Sequence, residues 1–134
     1  MRLYRSIGWI QGIYFLLTGV WPLVSIETFQ LVTGQKTDHL VTGREADHWL
    51  VNTVGVLVIA IGITLLFSAW RGRFSAEVAI LSIAAAIGLI GIDVVYVARG
   101  TISAVYLIDA VLEAAILITW LVCVWQFRRA EKSA

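Results

Sequence analysis

Four long apolar runs constrain the fold of this chain more than any other feature of its sequence. They cover residues 7–26, 49–70, 78–98 and 100–127, and none contains more than two charged side chains. About 20 helical residues cross a hydrocarbon layer of about 30 Å, and a helix satisfies its own backbone hydrogen bonds where no water is available. We therefore predict one domain with four transmembrane helices, over residues 7–26, 43–70, 76–98 and 102–127.

Composition agrees with a membrane protein and excludes several other classes. The chain is 60% hydrophobic, with a mean hydropathy of +0.88 and a formal net charge of +1. A soluble domain of this size needs more polar surface, and no basic excess indicates binding to nucleic acid. The single cysteine, Cys123, excludes an internal disulfide and a cysteine-based zinc site. We predict an all-α integral membrane four-helix bundle, and the partner that this fold implies is the lipid bilayer.

The distribution of Lys and Arg predicts the orientation. One side of the predicted bundle carries Arg2, Arg5, Arg71, Arg73, Arg128, Arg129 and Lys132, and the other carries Lys36, Arg44 and Arg99. The side richer in Lys and Arg should be cytoplasmic. We therefore expect a multi-pass protein of the cytoplasmic (plasma) membrane with both termini in the cytoplasm.

Tryptophans lie near the ends of the apolar runs. Trp21 and Trp49 are expected at the outer interface, and Trp9, Trp70, Trp120 and Trp125 toward the inner one. Tryptophan is enriched at membrane interfaces, so this pattern predicts an aromatic belt with no binding role.

The link between the first two runs predicts a short extracytoplasmic interfacial helix or loop. Ser25 can cap a helix whose apolar residues include Phe29, Leu31 and Val32. In the first run, Gly8 and Gly12 have the spacing of a helix-packing motif. This motif is compatible with a homo-oligomer or with a larger membrane complex.

A tandem duplication follows that link. LVTGQKTDH, residues 31–39, is followed directly by LVTGREADH, residues 40–48, and each copy ends in an Asp-His pair. Imidazole and carboxylate groups suit zinc, iron or manganese, so the candidate metal ligands are Asp38, His39, Asp47 and His48. The spacing of nine is not diagnostic of a metal site, and an Asp next to a His is often only part of a solvated loop. No cofactor is assigned.

Polar side chains within the apolar runs predict a pocket. They share helix faces within each run: His48 and Asn52 in the second, Asp93 and Tyr96 in the third, and Tyr106, Asp109 and Glu113 in the fourth. A charged residue at the membrane centre costs on the order of 2.5–3.5 kcal/mol. We therefore expect these groups to face the bundle interior. One interpretation is an outward-opening polar pocket for a ligand or for protons. The alternative is structural: Asp109 and Glu113 bond to Asn52, Tyr96, Tyr106 or water and fix the helix register without a ligand.

The segment IQGIYFLLTGVWPLVSIETFQLVTG, residues 10–34, resembles the start of DoxX-like small membrane proteins. The shared features are a glycine-bearing first helix, a proline near its outer end and a short amphipathic segment before the second helix. The plan of four helices in a small chain is also similar. The resemblance implies a cytoplasmic-membrane protein, with some members tied to quinone-linked oxidation or redox partners, and it assigns no catalytic residue here.

Two functional hypotheses follow from the sequence. One is a non-catalytic accessory subunit, or a binder of a small apolar or amphiphilic ligand in the predicted pocket. The alternative is a membrane enzyme acting on a quinone or lipid, or a proton-coupled carrier, that uses Asp109 and Glu113. The chain has no Ser-His-Asp order, phosphate loop or Cys-x-x-Cys motif, so the sequence does not decide whether the protein is an enzyme.

Overall fold

The chain folds into five α-helices. The computed structural model describes residues 2–33 and 44–132, with the side chains of 2–32 and 48–132. The helices are α1 (Arg2–Val24), α2 (Ile26–Thr33), α3 (Arg44–Arg71), α4 (Ala76–Ala98) and α5 (Tyr106–Lys132), and the described residues contain no β-strand. The predicted all-α bundle, with a short helix after the first long one, is confirmed.

The four long helices have the length and composition of membrane spans. Each is apolar enough to cross a bilayer, and large apolar side chains cover the outside of the bundle. Leu17 and Val111, for example, are each 67% exposed. A soluble monomer rarely exposes a continuous apolar surface, whereas lipid covers such a surface in a membrane. The chain is therefore a multi-pass membrane protein.

Three helix bounds differ from the sequence prediction by about four or five residues: the last helix ends at Lys132 instead of residue 127, and two helices begin at other residues than predicted. The first helix begins at Arg2 instead of residue 7, because Tyr4 is buried and its hydroxyl hydrogen-bonds with Ser68 Oγ. The last helix begins at Tyr106 instead of residue 102. Gly100, with φ of +69°, ends the preceding helix, and a turn follows in which Tyr106 N donates to the Ser103 carbonyl.

The link between α3 and α4 is tight and capped. Gly72 has φ of +65°, a conformation that glycine adopts without strain. Ser75 precedes α4, and its side chain accepts a hydrogen bond from Val78 N at 3.4 Å. This N-cap satisfies one of the free backbone donors of the first turn.

α1 and α2 are separated at Ser25. Phe29 N donates to the Ser25 carbonyl at 3.1 Å, and Trp21 Nε1 donates to Thr28 Oγ1 at 3.1 Å. The Trp21 and Phe29 rings meet edge to face, with centroids 5.8 Å apart. These contacts hold α2 against the end of α1.

Glycines bring α1 and α3 into close antiparallel contact. A Cβ added at Gly19 would lie 2.7 Å from the Gly55 carbonyl oxygen, and one at Gly62 would lie 3.0 Å from the Gly12 carbonyl oxygen. Gly8 packs against Ala69 in the same way. The face with Gly8 and Gly12 therefore packs against α3 within one chain.

The core lies in the half of the bundle where α1 begins and α5 ends, here called the terminal half. Its buried side chains are Tyr4, Ile7, Phe15, Leu65, Ala79, Ile116, Trp120 and Cys123. Trp120 is fully buried and donates from Nε1 to Gln11 Oε1 at 2.7 Å. Its burial corrects the prediction that every tryptophan is interfacial. The opposite half, which contains α2, is called the α2 half.

Candidate ligand cavity

The α2 half contains a cavity of about 520 Å³, a size within the usual range for small-molecule sites. α1, α2, α3 and α5 supply most of its wall, and α4 contributes Leu89. The wall is mainly apolar, with residues such as Val51, Val54 and Leu112. The sequence predicted a polar pocket here; of its predicted residues Tyr106, Asp109 and Glu113 line the cavity, and aliphatic and aromatic side chains dominate the wall.

Two acidic residues of α5 line the cavity. Asp109 and Glu113 are four residues apart, so they share one face of the helix. Glu113 is fully buried, its carboxyl oxygens included, and neither oxygen has a hydrogen-bond partner within the described part of the chain. The predicted α5 stripe is thus directed into the bundle, where Glu113 meets no complementary group among the described residues.

Asp93 of α4 is buried as well, but it does not line the cavity. Its Oδ2 has no hydrogen-bond partner among the residues described. Asp93 and Asp109 both lie within electrostatic range of the Glu113 carboxyl. The structure therefore places three acidic side chains near each other in the α2 half, two of them in the cavity wall.

The other predicted pocket residues lie in different environments. His48 and Asn52 are half-buried on α3, outside the cavity wall, and His48 Nε2 and Asn52 Oδ1 have no partner in the described ranges. Tyr96 is 42% exposed, and the Arg99 guanidinium lies 5.8 Å from its ring centroid. Tyr96 is thus on the outside of the bundle, while Tyr106 lines the cavity.

Aromatic side chains in the wall were not predicted as site residues. They are Tyr14, Phe15, Trp21 and Phe29, from α1 and α2. Their spacing in the sequence is the ordinary spacing of apolar residues on a membrane helix. Only Trp21 had a distinctive position in the sequence, because it lies next to Pro22 where α1 ends. That position equally predicted a role at the membrane interface.

The metal hypothesis is only partly within reach of the structure. Asp38 and His39 lie outside the described residues, and so does the side chain of Asp47. In the part of the chain that is described, no group of three or more His, Cys, Asp or Glu side chains is arranged to hold a metal ion. The His48 imidazole therefore has no metal-binding set around it within those ranges.

Fold and cavity together define a class: a small helical membrane protein with an apolar cavity and carboxyl groups in one wall. Comparison with protein-family models, curated proteins and solved structures finds no match to this chain. The chemistry of the cavity is therefore the basis on which a function can be inferred.

Proposed function

We propose that this protein is a non-catalytic binder of a small amphiphilic ligand, which occupies the cavity of the α2 half. The observation that carries the proposal is the cavity itself: about 520 Å³ of space with a mainly apolar wall and two carboxyl groups on one side. Ligand sites have this composition, since apolar walls supply affinity and a few polar groups fix orientation.

Packing supports the proposal. The α1–α3 glycine contacts and the Trp120 core are closely packed, in contrast to the cavity. Membrane helices gain stability from close van der Waals contact, so a large internal space lowers stability unless something occupies it. A bound apolar body would supply the missing contacts.

We also propose the setting that the sequence predicted: the cytoplasmic membrane, with both termini in the cytoplasm and the cavity near the outer leaflet. The excess of Lys and Arg at the terminal half supports this orientation. Kinship with DoxX-like proteins stays a proposal based on residues 10–34, and association with a larger membrane complex is compatible with it.

A second candidate is a proton-coupled carrier. The observation that favours it is Glu113, a fully buried carboxyl in the cavity wall without a partner in the described chain. Intramembrane acidic residues often take up and release protons during transport. Reconstituted vesicles containing a pH-sensitive dye would show ligand-driven proton movement if the protein is a carrier, and none if it only binds.

The direct test is a binding titration with a neutral apolar fluorophore, N-phenyl-1-naphthylamine, on purified protein in detergent. Val54 lines the cavity and Val56 does not, although the two are similarly exposed at 52% and 55%. Val54→Phe should narrow the cavity and weaken binding about tenfold or more, which corresponds to about 1.4 kcal/mol. Val56→Phe adds the same bulk to the outer surface and is the matched control.

The outcomes separate clearly. Binding that Val54→Phe reduces and Val56→Phe preserves supports the cavity as the ligand site. Fluorescence no greater than that of protein-free micelles, or an equal loss in both variants, would overturn the proposal.

A further inference from the structure

The fully buried carboxyl of Glu113 lacks a hydrogen-bond or ionic partner among the described residues. A carboxylate can accept several hydrogen bonds through its two oxygens, and buried charges in proteins are normally paired. Neither Glu113 oxygen has such a partner in the described ranges, and the residue lies in the cavity wall. A partner that occupies the cavity would therefore complete this group.

The charges around Glu113 determine which partner fits. Asp109 lies in the same wall one helical turn away, and Asp93 is close enough to act on Glu113 electrostatically. Among the described residues, no Lys or Arg lines the cavity. The Lys or Arg side chain described near this end of the bundle is that of Arg99, which is exposed beside Tyr96, and the His48 imidazole lies outside the cavity wall. An acidic wall without a basic counterpart attracts a cation and repels an anion.

The rest of the wall favours an organic cation over calcium or magnesium. Calcium takes six to eight oxygen ligands and magnesium needs octahedral coordination, whereas the described residues contain no group of three or more His, Cys, Asp or Glu side chains arranged to hold a metal ion. The wall instead contains the aromatic residues Tyr14, Phe15, Trp21, Phe29 and Tyr106. Aromatic rings attract weakly hydrated organic cations through their negative faces, and aliphatic residues such as Val54 suit apolar substituents.

We propose that the ligand of the cavity is an organic cation with apolar substituents, for which Glu113 is the counter-ion and Asp109 adds to the negative field. This inference rests on the proposed ligand-binding function and adds the charge and chemical class of the ligand. The apolar wall holds the body of the ligand, and the carboxyl group pairs with its positive centre.

The test uses two ions that share four phenyl groups and differ in charge: tetraphenylphosphonium and tetraphenylborate. Equilibrium dialysis against purified protein in detergent measures each affinity, and the neutral fluorophore titration runs in parallel. Wild type should bind the cation at least about tenfold more tightly than the anion, after correction for protein-free micelles. Val54→Phe should weaken cation binding, and Val56→Phe should not.

Glu113→Gln keeps the shape of the side chain and removes its charge. It should weaken cation binding by about tenfold or more and leave binding of the neutral fluorophore within about twofold, which also shows that the variant is folded. Asp109→Asn should have the same effect with a smaller magnitude, since Asp109 is only partly buried. If Glu113→Gln does not fold, two results still test whether the cavity binds an organic cation. They are the preference of the wild type for the cation over the anion and the weaker cation binding of Val54→Phe.

Failure of this inference differs from failure of the proposed function. If the neutral fluorophore binds in the cavity but the cation binds no better than the anion, the charge assignment is overturned and the binding function stands. If the cation binds Glu113→Gln as tightly as wild type, Glu113 is not the counter-ion. If no probe binds at all, both proposals are overturned.

Discussion

The two halves of the bundle satisfy their buried polar side chains to different degrees. In the terminal half, Trp120 donates to Gln11 and Tyr4 bonds to Ser68, within a closely packed core, and of these groups Gln11 Nε2 lacks a partner in the described chain. In the α2 half, both oxygens of Glu113 and Oδ2 of Asp93 lack a partner in the described chain, and Glu113 lines a large cavity. Buried polar groups without partners cost stability, and such costs concentrate at functional sites. The contrast supports a structural role for the terminal half and agrees with the ligand site that we propose in the α2 half.

The largest expected effect on stability is in the terminal half. Trp120→Ala removes the centre of the core and the donor to Gln11, so we expect a loss of about 3–5 kcal/mol in the free energy of unfolding. Thermal unfolding in detergent measures it. Trp125→Ala, at an exposed position of the same helix, is the control and should cost about 1 kcal/mol or less. Equal losses in the two variants would contradict the assignment of the core.

Next in size is the close contact between α1 and α3. Gly19→Ala would bring a Cβ to 2.7 Å from the Gly55 carbonyl oxygen, so the helix backbones must separate, at about 3 kcal/mol. Gly88→Ala is the matched control on α4, since a Cβ there would have no neighbour within 4 Å. It should stabilise the helix by up to about 1 kcal/mol. An equal decrease in the unfolding midpoint of both variants would contradict the close glycine contact between α1 and α3.

The two halves are compared most directly through Gln11 and Glu113, which are both fully buried. Gln11→Leu leaves the Trp120 indole N–H without its acceptor, and should cost about 2 kcal/mol of stability. Glu113→Met removes a carboxyl that has no partner in the described chain, so stability should stay the same or rise. The same unfolding assay measures both. A large loss for Glu113→Met would mean that this carboxyl holds the helices together and would weaken the case for a ligand.

The sequence predicted the spans and the helix faces better than the interior. The length of the apolar runs predicted the four spans. The three- and four-residue spacings predicted that Asp93, Asp109 and Glu113 face the interior. Spacing along one helix does not say which residues of neighbouring helices oppose each other. For that reason the Trp120–Gln11 hydrogen bond and the aromatic cavity wall were not predicted.

The smallest expected effect concerns Tyr96, which shares a turn of α4 with Asp93. At 3.6 residues per turn, positions three apart differ by about 60° around the helix. This rotation separates buried Asp93 from Tyr96, which is 42% exposed and lies beside Arg99. Tyr96→Phe should therefore change unfolding by less than about 0.5 kcal/mol and leave fluorophore affinity unchanged. Tyr106→Phe alters a residue of the cavity wall and should change that affinity measurably. The reverse ranking of the two tyrosines would mean that the ligand contacts the outer face of α4 instead of the cavity, since α4 supplies Tyr96 and α5 supplies Tyr106.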